Sequence, residues 1–108
     1  MAGSIILDRD HVLGINTHDF DYMVERIRIA YPVEFDALEE QLFAPMDEGG
    51  MMFISLRKQG KEGVAAFHSA LIRAIERDIN EGTFPFRELL WEQLLALVRT
   101  DPRFEENE

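Results

Sequence analysis

Apolar residues recur along most of this chain at the three-and-four spacing of helices. From Thr17 onward Phe20, Met23, Val24, Ile27 and Tyr31 share one helical face, and Asp19 and Asp21 near its start suit the positive end of a helix dipole. This predicts a helix over residues 18–31. Pro32 stops it and fits the first turn of a second helix, whose Phe35, Leu38 and Leu42 form a stripe opposite Glu34, Glu39 and Glu40. The stretch from Ala44 and Pro45 to Gly49 and Gly50 reads as a loop, with glycines for unusual backbone angles. Val64, Phe67, His68, Leu71, Ile72, Ile75 and Ile79 make the clearest amphipathic helix, which Asn80, Glu81 and Gly82 end. Thr83 suits the cap of a last helix beginning near Phe84 and Pro85. Phe86, Leu89, Leu90, Leu94, Leu97 and Val98 lie on one side of it, Trp91 and Leu95 towards another, and Asp101 and Pro102 terminate it.

Two short apolar runs lack that period. Ser4 to Leu7 fits a short strand, while residues 8–14 fit a helical turn ended by Gly14, and residues 1–16 are read together as an N-terminal arm. The run Met51, Met52, Phe53, Ile54, Ser55, Leu56 fits equally a buried strand or extended chain across a helical core. If it is a strand, Ile5, Ile6 and Leu7 are its only plausible partner. The pattern predicts one mainly α domain over 1–108: a compact bundle of about four helices with room for one short two-stranded β element. Its core is expected around Phe20, Ile27, Leu38, Leu42, Phe67, Leu71, Ile75, Leu90, Leu94 and Leu97, with a frayed acidic tail over 105–108.

Composition supports folding and then adds one asymmetry. With 46% hydrophobic residues in 108, the chain has material for one core and too little for two. There is no cysteine, so packing rather than cross-linking must hold it. The formal charge is −10, but its distribution is uneven: residues 1–56 carry eleven acids and three bases, residues 57–104 seven acids and eight bases. Such a field attracts basic surfaces and repels phosphate backbones and anionic lipid. Neither nucleic acid nor membrane is therefore an expected partner. The first residues have no basic region and their apolar run breaks at Asp8, so neither a signal peptide nor a span is expected, and the cytoplasm is the expected location.

Catalytic chemistry finds few parts. Asp8, Asp10, His11, His18, Asp19 and Asp21 are the densest group of potential metal ligands, yet they match neither a calcium-loop spacing nor a pair of histidines four apart. His18-Asp19 spells a dipeptide of metal-dependent phosphohydrolases, but only His68 remains to complete such a site, and its place between Phe67 and Leu71 suits the edge of the core. Ser4, Ser55 and Ser69 sit in no glycine-flanked elbow, and the glycines make no phosphate loop. No catalytic residue, metal or cofactor is expected. The bases Arg57, Lys58 and Lys61 are too few for nucleic acid and are expected to balance the acidic half internally or to lie beside an acidic face.

What remains is binding. Glu34, Asp36, Glu39, Glu40, Asp47 and Glu48 gather around the second helix and can steer a cationic protein, with Tyr31 and Phe43 beside them as aromatic anchors. Size, acidity, the absence of cysteine and the runs from Gly49 to Leu56, Trp91 to Leu95 and Asp101 to Phe104 resemble the small acidic immunity proteins with which bacteria neutralise toxin domains, particularly those of contact-dependent growth inhibition. The resemblance implies that an anionic patch covers the basic active-site cleft of a nuclease-type toxin and excludes its substrate. The alternative is a non-enzymatic regulatory or scaffolding module that self-associates, as a homodimer, through Trp91, Leu95 and Val98 on the last helix.

Overall fold

A computed structural model describes residues 2–104; the acidic tail over 105–108 lies outside the described residues. Among them, strands β1 (Ala2–Asp8), β2 (His11–Asn16) and β3 (Phe53–Ser55) form one sheet. Helices α1 (Thr17–Ile29), α2 (Asp36–Gly49), α3 (Lys61–Glu81) and α4 (Glu88–Arg99) pack with it. Short 3-10 turns at Val33–Phe35 and Phe84–Arg87 lead into α2 and α4. The molecule is a mainly α bundle of four helices with a small mixed sheet.

The sheet corrects the reading of residues 1–16. They are not an arm: β1 is the central strand, antiparallel to β2 and parallel to β3, in the order β2-β1-β3. Ile5 pairs with Ile54, so the expected partnership of the two apolar runs holds, and the β element has three strands rather than two. The helical turn expected over 8–14 is instead a tight β1–β2 connection at Arg9 and Asp10 followed by the first residues of β2, and in it Asp8 Oδ1 accepts from the Asp10 backbone N–H at 2.8 Å. Ile5, Leu7, Ile15 and Ile54 drive the sheet into the core. Gly3 is required by close approach, because a Cβ there would lie 2.2 Å from the Phe20 ring of α1.

The helices follow their apolar stripes, with two corrections. Phe20, Met23, Val24 and Ile27 are buried on α1; Val64, Phe67, Leu71 and Ala74 are buried on α3; Gly82, at φ 79°, closes α3 as its sequence position suggests. First, α2 does not end at Ala44. It runs through Pro45 to Gly49 and closes on Gly50 at φ 63°, whose N–H bonds to the Met46 carbonyl at 3.1 Å. Burial of Leu42 and Phe43, with Met46 packed against the core, outweighs the hydrogen bond that proline cannot donate. Second, α4 is rotated from its expected setting. Trp91, Leu94 and Val98 are fully buried, whereas Phe86 and Leu89 are 78% and 68% exposed. The 3-10 turn changes the helical phase, and the Thr83 hydroxyl, expected as a cap, donates instead to Asp78 Oδ1 at 2.8 Å.

Asp78 explains that rotation. This fully buried carboxylate on α3 accepts from Trp91 Nε1 at 2.9 Å, from Tyr22 Oη at 2.6 Å and from Thr83, linking α1, α3 and α4. Turning the indole inward leaves no exposed Trp91 or Val98. With Trp91 and Val98 inside and Leu95 half-buried, the three residues expected to pair two copies do not form an exposed face, and self-association through them has no surface to use.

Candidate functional site

The acidic residues around α2 are brought together. Asp36, Glu40 and Asp47 recur at helical spacing on the edge of α2 next to α1, Glu39 is half-buried beside them, and Glu34 stands on the preceding turn. Among the described residues, Arg28 of α1 is the one cation paired with this edge. It holds Asp47 through both carboxylate oxygens, lies 3.8 Å from Glu39 and covers the Phe43 ring at 4.9 Å. Arg28 holds the Asp47 carboxyl below its ordinary value, while burial lifts that of Glu39 against the opposing pull of Arg28. Glu34, Asp36, Glu40 and Glu48 are exposed and make no ion pair among the described residues. Arg28, Asp36, Ala37, Glu39 and Glu40 line an open groove of about 500 Å³. The result is an anionic ridge with the Arg28 guanidinium at its foot.

The two aromatic residues expected on this patch are elsewhere. Tyr31 and Phe43 meet edge to face at 6.2 Å inside the core, because both lie on the inward faces of their segments. Tyr31 Oη has no hydrogen-bond partner among the described residues, and burial pushes its pKa well above the ordinary tyrosine value. Sequence reasoning missed Val33, which is 81% exposed next to Glu34. Its signal was slight: a β-branched residue directly after Pro32, at a position the helical pattern treats as part of a buried turn.

The other constellation is split apart. Asp8, Asp10 and His11 sit at the β1–β2 turn, and His18, Asp19 and Asp21 at the start of α1, separated by the length of β2, roughly 20 Å. Each half has a local explanation. His11 Nδ1 lies 2.9 Å from Asp8 Oδ1, which raises the imidazole above 6.5 and lowers the carboxyl below 3.8. Asp19 caps α1 reciprocally with Asn16 and accepts from Arg87 Nε at 2.9 Å. Among the described residues no three His, Asp or Glu side chains converge to hold a metal. His68 is half-buried at the core edge, accepting from Arg99 Nε at 3.3 Å and packing on Phe104. Among the described residues no helix is long and apolar enough to cross a membrane.

The basic turn departs in part from its expectation. Arg57 and Lys58 make no ion pair among the described residues, and they lie on the β3 side of α2, across from the acidic ridge, so these two do not balance the acidic half there.

No family model matches the chain. Immunity protein CdiI of Burkholderia pseudomallei is 34% identical over 103 residues, which are 95% of this chain and 94% of that protein. A chain from the solved complex of a CdiA-CT toxin from Burkholderia pseudomallei E479 with its cognate CdiI immunity protein superposes with a TM-score of 0.91. It is 33% identical, and the match covers 96% of this chain and all of that one. Identity above 30% across nearly the whole of both chains, on one shared backbone, places this chain in the CdiI immunity protein family.

Proposed function

We propose that this chain neutralises a toxin domain by binding it as a single folded domain in the cytoplasm, with the acidic ridge of α2 turned towards a basic active-site cleft. In the solved complex a CdiI immunity protein is bound to its cognate CdiA-CT toxin. The observation that carries the reading is the match, along 96% of the chain, to a structure solved as a toxin–immunity complex. The ridge supports the orientation: Glu34, Asp36 and Glu40, with Glu48 further round α2, are exposed carboxylates without an ion pair among the described residues, the form of surface that accelerates encounter with a cationic partner and rejects anionic ones. Val33 supplies an exposed apolar contact at its end, and Glu39 and Asp47 hold Arg28 so that the ridge keeps its shape. Tyr31 and Phe43 act from below, packing the base of α2. Once seated, the carboxylates occupy the cations that would otherwise hold the toxin's substrate.

The test is protection. Cells producing the toxin domain encoded beside this chain's gene are expected to survive when the chain is co-produced. Reversal of Glu34, Asp36, Glu40 and Glu48 to Lys should abolish survival while leaving the circular dichroism of the purified variant unchanged. Death in the presence of well-folded wild-type chain would overturn the reading.

A further inference from the structure

The basic turn after β3 is built with more care than a solvent-exposed connection needs. Its backbone is clamped from the C-terminal end of the chain: Arg103 donates to the carbonyls of Leu56 at 2.6 Å, Gln59 at 2.7 Å and Leu7 at 2.7 Å. The buried Asp101 fixes that guanidinium through both carboxylate oxygens, at 2.8 and 2.9 Å. A second tie comes from Gln59, itself buried, whose Nε2 donates to the Leu38 carbonyl of α2 at 3.2 Å. The two residues held between these anchors, Arg57 and Lys58, point their charges outward with no counter-ion among the described residues. They stand at a pocket of about 410 Å³ between α2 and β3, lined also by Gln41 and Ser55. Ser55 Oγ accepts from the Arg57 backbone N–H at 3.3 Å, which leaves its own proton to donate.

We infer that this pocket receives an acidic side chain of the protein partner, with Arg57 and Lys58 as its cations and Ser55 as a neutral donor. The inference rests on the proposed neutralisation of a toxin domain and adds a second, oppositely charged contact to it. Two unpaired cations on a molecule of net charge −10 lower its attraction for a basic partner, and a rigidly presented pair gains affinity only where it meets an anion. A single carboxylate fits better than a nucleic acid, because the remaining field repels a polyanion. The ridge and the pocket lie on opposite edges of α2, so the partner is expected to carry a basic surface and, across the width of one helix, an Asp or Glu.

The experiment measures association and dissociation of the purified full chain with the toxin domain encoded beside it. If Arg57 and Lys58 merely dilute the acidity, Arg57→Ala with Lys58→Ala leaves dissociation unchanged and speeds association. A gripping pocket predicts dissociation at least roughly tenfold faster. The charge-reversed pair, Arg57→Glu with Lys58→Glu, should weaken binding further and be rescued by one Asp→Lys or Glu→Lys change in the toxin domain. Unchanged dissociation, or loss of affinity for a short RNA in place of any loss for the toxin domain, overturns the pocket alone. Failure of the wild-type chain to bind the toxin domain at all overturns the pocket together with the reading beneath it.

Discussion

Asp78 and Trp91 form the contact on which the interior depends most heavily. Trp91→Ala should cost about 3–5 kcal/mol by opening a cavity and should also leave the buried carboxylate short of one donor. Urea unfolding checks it; a variant as stable as wild type would contradict the account. Tyr31 has the opposite expectation. Its hydroxyl is buried without a partner, so Tyr31→Phe should unfold at the same or a higher urea concentration. Asp101 adds a pH signature. Arg103 depresses its folded-state value below the ordinary 3.8, so its contribution is fully present above that value and is lost as pH falls through the folded-state one. Asp101→Asn should therefore flatten the decline of stability below about pH 4, read from urea midpoints across that range. Of the core expected from spacing, Phe20, Ile27, Leu42, Phe67, Leu71 and Leu94 are buried, whereas Leu38, Ile75, Leu90 and Leu97 are only partly so and pack against it. Asp78 was not legible, because a buried carboxylate is defined by donors 5, 13 and 56 residues away, and no local pattern announces them.

At the scale of elements, the helices were readable because each is long enough for several repeats of its stripe. The sheet was less so. β2 shows one buried position, Ile15, in six, and β3 is three residues long, too short for alternation to declare itself. Its partner β1 could still be named, since two isolated apolar runs in one domain have few alternatives but each other. The α2 terminus failed for a physical reason: Pro45 is a stop signal only when tertiary packing does not outweigh it, and here Phe43 and Met46 hold the next turn against the core. Because β1 is central, removal of residues 1–16 should abolish cooperative unfolding, whereas loss of a mere arm would leave it intact. Near-ultraviolet circular dichroism of Trp91 during thermal melting distinguishes the two. Gly82→Ala, forced into a positive φ, should destabilise by about 1 kcal/mol.

Over the whole molecule, charge is sorted rather than spread. Six of the first half's eleven carboxylates lie on α2 and the turn before it, with Arg28 against their edge, while Asp8 and Asp10 stand at the β1–β2 turn and Asp19, Asp21 and Glu25 on α1; Arg57 and Lys58, without an ion pair among the described residues, stand on the other side of α2. The six acids of the proposed contact surface could be grouped from the sequence because they cluster within fifteen residues of one amphipathic helix and its flanks. The anchors could not be: aromatic residues serve core and interface alike, and helical phase alone did not separate Tyr31 and Phe43 inside from Val33 outside. The most direct test of the central claim is the association rate constant between this chain and the toxin domain, measured across a range of salt concentrations. For wild type it should fall steeply as salt rises. The variant with Glu34, Asp36, Glu40 and Glu48 reversed to Lys should associate at least about tenfold more slowly at low salt, with a nearly flat salt response. Equal rates and equal salt slopes for the two proteins would contradict the account.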